Sequence, residues 1–166
     1  VNPSHVIIDG YNVIHQWPLL QAVLKQNGHE AACEQLARHA RILHDQNEAQ
    51  VTVVFDGQGD KVQILHPGKE DTFSIVFSPS GVAADTLIEN MVSRTKRPKT
   101  VTVVTRDHML AEVVGSLGAM VVSPEGFQEW IEATQGQQAY RLNKKQKALD
   151  EKWRKEQKGI WDVLND

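Results

Sequence analysis

Four short runs, His5-Val-Ile-Ile-Asp9, Val51-Thr-Val-Val-Phe-Asp56, Lys99-Thr-Val-Thr-Val-Val-Thr105 and Ala119-Met-Val-Val122, are rich in β-branched residues and apolar along nearly their whole length. A strand with one face in water alternates apolar and polar residues, whereas a near-continuous apolar run is buried on both faces. Stretches of helical length separate these runs. The combination demands an α/β fold in which helices cover both faces of a mainly parallel sheet.

The intervening pattern fills in the elements. Ala32, Leu36, Ala40 and Leu43 form one stripe and predict a helix from about Glu30 to Asp45. Residues 62–65 and 73–77 are candidates for two further strands. A helix is expected over 82–96, ahead of Pro98, and another from about Asp107 to Ser116, closed by Gly118. Ser123-Pro124-Glu125 is a helix start, with proline at the first position, leading into Phe127, Trp130 and Ile131. The division expected is a domain over 1–135 and a helical extension over 136–166.

A chain of 166 residues buries enough surface to fold without disulfides or a structural metal. Its single cysteine, Cys33, lies among Ala31, Ala32 and Leu36 and reads as packing. No apolar run approaches the roughly 18 residues of a membrane span, and no basic-then-apolar leader opens the chain. A cytoplasmic protein without a membrane partner is the expectation. The net charge of −3 hides a segregation. Residues 141–158 hold eight Lys or Arg against three Asp or Glu, and residues 1–140 hold ten against sixteen.

The strand ends carry the chemistry, because sites in parallel sheets form outside the carboxyl ends of the strands. Asp9 closes the first run, Asp56 the second, and Asp107 lies two residues beyond Thr105. Asp85 falls in the opening turn of the helix near Val82, with Glu89 one turn on. An aspartate after a strand is commonly a turn former or helix cap, and Asp56 before Gly57 suits that role well. Four on one edge is another matter. They repel one another unless protonated or neutralised by a cation. Oxygen ligands without a Cys or His cluster favour Mg²⁺ or Mn²⁺.

Ile8-Asp9-Gly10-Tyr11-Asn12-Val13-Ile14, Val54-Phe55-Asp56-Gly57, Ala84-Asp85-Thr86-Leu87-Ile88-Glu89 and Val104-Thr105-Arg106-Asp107 resemble the successive motifs of the NYN domain. The likeness is greatest to the YacP-like branch of that family, within the PIN-like nucleases, and runs in order from the first strand to about Trp130. It implies a three-layer α/β/α sandwich and Mg²⁺- or Mn²⁺-dependent hydrolysis of RNA. Asp9, Asp85 and Asp107 match the family's metal-binding acids, Asn12 its amide beside the first acid, and Asp56 a further acidic position.

Other signals are weaker. His15 and His108 flank the motifs, yet surface histidine is the default. Tyr11 and Trp17 suit base stacking or core packing equally. Gly57-Gln58-Gly59 lacks the Lys-Ser/Thr of a phosphate loop and reads as a turn. In the tail, Leu142, Leu149, Trp153 and Ile160 recur at helical spacing among Lys144, Lys145, Lys147, Lys152, Arg154 and Lys155. Such a helix either docks on the domain or grips RNA, as single strand or mRNA, or a ribosomal surface. Two functions follow: an endoribonuclease, or a non-catalytic RNA- or ribosome-binding module on the same fold.

Overall fold

The computed structural model describes residues 3–164, with side chains as far as Gly159, so the side chain of Ile160 lies outside the described residues. The chain divides into two compact units, Val1–Ile131 and Glu132–Asp166.

In the first unit a six-stranded sheet has the order β3-β4-β2-β1-β5-β6. Its strands are β1 (His5–Asp9), β2 (Gln50–Phe55), β3 (Gln63–Leu65), β4 (Phe73–Phe77), β5 (Val101–Val104) and β6 (Met120–Val122). All neighbours pair parallel except β3 with β4. The antiparallel β3 is short and fully exposed, as suits an edge strand. The helices are α1 (Gly10–Gln16), α2 (Pro18–Asn27), α3 (His29–Asn47), α4 (Ala84–Arg94), α5 (His108–Ser116) and α6 (Pro124–Leu164).

Alternation along the central strands explains why they read as continuously apolar. Val6 and Ile8 join Val51, Val53 and Phe55 beneath Val13, Leu20, Leu36, Leu43, Phe127 and Ile131 of the helices on one side. Ile7, Val54, Val101 and Val103 face Ile88 and Val92 of α4 and Leu110 and Val114 of α5 on the other. Each face is therefore dry, and the fold is the expected α/β arrangement with a mostly parallel sheet. Gly118 turns the chain from α5 into β6 with φ of 106°, a conformation that a side chain would strain.

Two short helices, α1 and α2, fill the segment between the first strand and Glu30, where no element was expected. Seven- and ten-residue helices carry too little periodic signal to stand alone. They form because Val13, Ile14 and Leu20 are buried against the sheet-side core. In the second unit, residues 136–159 of α6 are exposed except for a half-buried Gln157. Among the described residues no helix is long and apolar enough to cross a membrane.

Candidate active site

β1 lies between β2 and β5, with Asp9 paired to Val54 and Ile8 to Val104. Asp9, Asp56 and Thr105 thus leave three adjacent strands at one edge. The backbone turns directly from Asp9 into α1 at Gly10, where any Cβ would overlap the ring of the buried Phe55. Glycine at this position is a condition for placing Asp9 where it is.

Hydrogen bonds then fix each acid. Thr105 Oγ1 donates to Asp9 Oδ2 at 2.9 Å and accepts the Asp107 N–H at 3.1 Å, so one hydroxyl sets two carboxylates relative to each other. Asp107 caps α5, its Oδ1 accepting from the N–H groups of Met109 at 2.9 Å and Leu110 at 3.2 Å. Asp56 Oδ1 accepts from Ala84 N–H at 2.7 Å and so binds the end of β2 to the start of α4. Asp85 Oδ1 accepts from Thr86 N–H at 2.9 Å. Capping thus accounts for one oxygen of Asp56 and of Asp107, as the bland reading of strand-end aspartates expects. In none of the four do these bonds take up the second oxygen.

Asn12 serves the site through the backbone. Its Oδ1 accepts the Arg106 N–H at 2.8 Å, and Arg106 Nη1 donates to Gln16 Oε1 at 3.1 Å. These two bonds tie α1 to the loop that carries Asp107. Arg106 is turned away from the acids into an ion pair with Glu125.

Asp9, Asp56, Asp85 and Asp107 line one cleft of about 520 Å³, together with Tyr11, Asn12, His15 and His29. Burial pushes the Asp9 carboxyl up to about 6, and the charges of Asp107, Asp56 and Asp85 push the same way against the Thr105 hydrogen bond. Among the described residues, no Lys, Arg or His forms an ion pair with any of the four. The N-termini of α4 and α5 supply the partial positive charge nearby. A hard divalent cation fits this donor set, since it offers carboxylate oxygens, mutual repulsion and no protein counter-charge. The spacing is a separate matter: among the described residues no three His, Cys, Asp or Glu side chains form a ready cation site.

The residues of the YacP-like NYN domain match positions 6–165. The chain belongs to the YacP-like NYN family. That places this NYN domain among the PIN-like nucleases. Two crystal structures of Rae1 (YacP) from Bacillus subtilis share its fold. The W164L mutant is 23% identical with a TM-score of 0.68, covering 84% of this chain and 81% of that one. The other is 22% identical with a TM-score of 0.65, covering 84% and 79%. A comparison with curated proteins gave no match.

Of the weaker candidates, His15 lines the cleft and His108 does not, and Glu89 is also absent from its walls. Trp17 is buried against His39 and Phe127, which makes it core. His29 escaped the sequence reading because it starts a helix far from any motif; it reaches the cleft by packing edge-on against Tyr11 at 5.7 Å. Ser78 also escaped notice. Its hydroxyl accepts from Gly57 N–H and donates to the Val82 carbonyl, bracing the two loops around Asp56. In the second unit, Lys144, Lys145, Lys147, Lys152, Arg154 and Lys155 are all exposed.

Proposed function

We propose that this NYN domain is a metal-dependent endoribonuclease, hydrolysing RNA phosphodiester bonds at the cleft of Asp9, Asp85 and Asp107. The observation that carries the reading is the gathering of these acids and Asp56 in one cleft with, among the described residues, no cationic side chain paired to them. A site that bound the RNA backbone by charge alone would present the opposite sign.

Asp9, Asp85 and Asp107 would hold Mg²⁺ or Mn²⁺, with Asp56 as a further ligand. When bound, such a cation polarises a phosphoryl oxygen and lowers the pKa of water, so that hydroxide is available near neutral pH. The chain's own residues prepare the site for that charge. Asp9 lies buried among like charges that a cation would neutralise, Thr105 orients it, and Asn12 keeps the Asp107 loop in place. The exposed basic stretch of α6 supports a grip on the RNA backbone, as single strand or as mRNA in a ribonucleoprotein or ribosomal setting.

Incubating the purified chain with structured, single-stranded and ribosome-bound RNAs tests the proposal. Mn²⁺ should permit cleavage, EDTA should stop it, and mapping the ends should locate the cuts. Binding without cleavage under Mn²⁺ and under Mg²⁺ would favour the non-catalytic RNA- or ribosome-binding module instead.

A further inference from the structure

The acidic cleft continues beyond its carboxylates. Tyr11 and His29, which line it on one side, also line a second cavity of about 360 Å³. Its other lining residues are Glu30, Cys33 and Glu34 from α3, Leu65 from β3, and Ile75 and Phe77 from β4. The aromatic side is braced, since Phe77 stacks on Phe55 at 5.6 Å and Tyr11 meets the same ring edge-on at 5.0 Å. Leu65 stands 50% exposed, an apolar side chain held open to solvent. Glu30 and Glu34 stand at the rim, both exposed. Sharing Glu34 and Ile75, a third groove leads on to Arg38, whose guanidinium lies 4.0 Å from the Glu34 carboxylate, and to Arg41, which pairs with Glu70 and Asp45.

On the reading that the cleft cuts RNA, we propose that the cavity walled by Leu65, Ile75 and Phe77 receives one nucleobase of the bound strand. That base neighbours the phosphate held at the acids, and Glu30 and Glu34 accept hydrogen bonds from its exocyclic amino group. A base presents flat apolar faces and a polar edge, which is the pairing of surfaces found here. Single-stranded RNA is recognised in this way, by stacking on aromatic side chains and by hydrogen bonds to base edges. A phosphate in the cavity would be repelled by the two glutamates. Carboxylates accept from the amino groups of bases such as cytosine, whereas uracil carries a carbonyl there. The cavity therefore favours adenine, cytosine or guanine over uracil.

The chain's single cysteine makes occupancy measurable without mutation, because Cys33 lies in the cavity wall. Its alkylation by iodoacetamide is timed in Ca²⁺, a hard cation suited to carboxylate ligands. Saturating hexa-adenylate or hexacytidylate should slow labelling several-fold, hexauridylate less, and inorganic phosphate not at all. Fluorescence anisotropy with the same labelled RNAs gives an independent reading of binding. Leu65→Ala should weaken hexa-adenylate binding several-fold, because it removes apolar surface that the base would cover. Glu30→Gln should shrink the preference for adenylate over uridylate. Unslowed labelling by saturating RNA, or unchanged affinity and preference in both variants, overturns the assignment. Cleavage assayed in parallel in Mn²⁺ keeps the two readings apart. Cutting with unaltered RNA affinity in Leu65→Ala and Glu30→Gln removes the base site and leaves the nuclease. Cys33 protection, or weakened binding in Leu65→Ala, with no cutting does the reverse.

Discussion

Asp9 and His5 sit at opposite ends of one strand, and their protons act on stability in opposite directions. Burial pushes the His5 imidazole down to about 4, and its Nε2 lies 2.8 Å from Thr52 Oγ1. Between about pH 6.5 and 4 the unfolded chain protonates His5 and the folded chain does not, so His5 costs stability as pH falls through that window. Asp9, raised to about 6, is protonated in the folded chain before the unfolded one; its contribution grows as pH falls from about 6 towards its ordinary value of 3.8. Without metal the two act in opposite directions over overlapping pH ranges. Asp9→Asn should therefore raise the melting temperature of the metal-free protein at pH 7, by the equivalent of about 1–3 kcal/mol. The same variant should reveal a His5-dependent loss of stability below pH 6.5 and show no cleavage. Melting curves from pH 4 to 8 check the first two outcomes, and full activity in the purified variant would remove Asp9 from the site. Gly10→Ala has a steric cost instead. Its methyl group would press on the buried Phe55 ring, and about 1–3 kcal/mol of destabilisation is expected in a denaturant melt.

Among the elements, the contact between the end of β2 and the start of α4 separates structural from chemical roles for Asp56. Asp56 accepts the Ala84 N–H, and an amide oxygen can do the same. Asp56→Asn should keep the cap and melt near the parent chain, whereas Asp56→Ala should lose about 0.5–2 kcal/mol. Cleavage in Mn²⁺ then isolates the charge: if Asp56 is only a cap, Asp56→Asn retains full rate. At the β5–α5 junction, Thr105→Val removes the hydroxyl shared by Asp9 and Asp107 while keeping the shape of the side chain. Loss of such an orienting partner lowers metal affinity or activity about 10–100-fold, and a Mn²⁺ titration of the cleavage rate would register it. Thr105 stood out in the sequence as a strand-end residue beside a motif, but β propensity explained it as readily. Its two hydrogen bonds distinguish the readings, and they exist only because β1 and β5 are neighbours.

Along the chain, charge is divided between the acidic cleft and the exposed basic stretch of α6. Replacing Lys144, Lys145, Lys147, Lys152, Arg154 and Lys155 with Gln should weaken RNA association and flatten its salt dependence. Every phosphate that the variant no longer neutralises should reduce the slope of log K against log salt by about 0.7 for single strands. Cleavage of a short substrate should persist in that variant. An unaltered salt slope would exclude this helix from RNA binding. Leu149 and Trp153 are each 62% exposed, so replacing either with Ala should change stability by no more than about 0.5 kcal/mol, as measured by thermal melt.

Local physics made much of this legible from residue order. Four near-continuous apolar runs require a sheet covered on both faces, and the order of the acidic motifs marks Asp9, Asp85 and Asp107 as candidates. Both signals are short-range, a side-chain period and a turn at a strand end. What they omit arises from packing between distant segments. α1 and α2 are too short to announce themselves and are held by Val13, Ile14 and Leu20 in the core. His29, Ser78 and the cavity of Leu65 and Phe77 reach the site because α3, β3 and β4 pack around Tyr11 and Asp56. The sequence by itself determined which side chains can carry the chemistry. Only the tertiary structure decided which of them share a cleft, because proximity across a sheet depends on strand order, which no local period encodes.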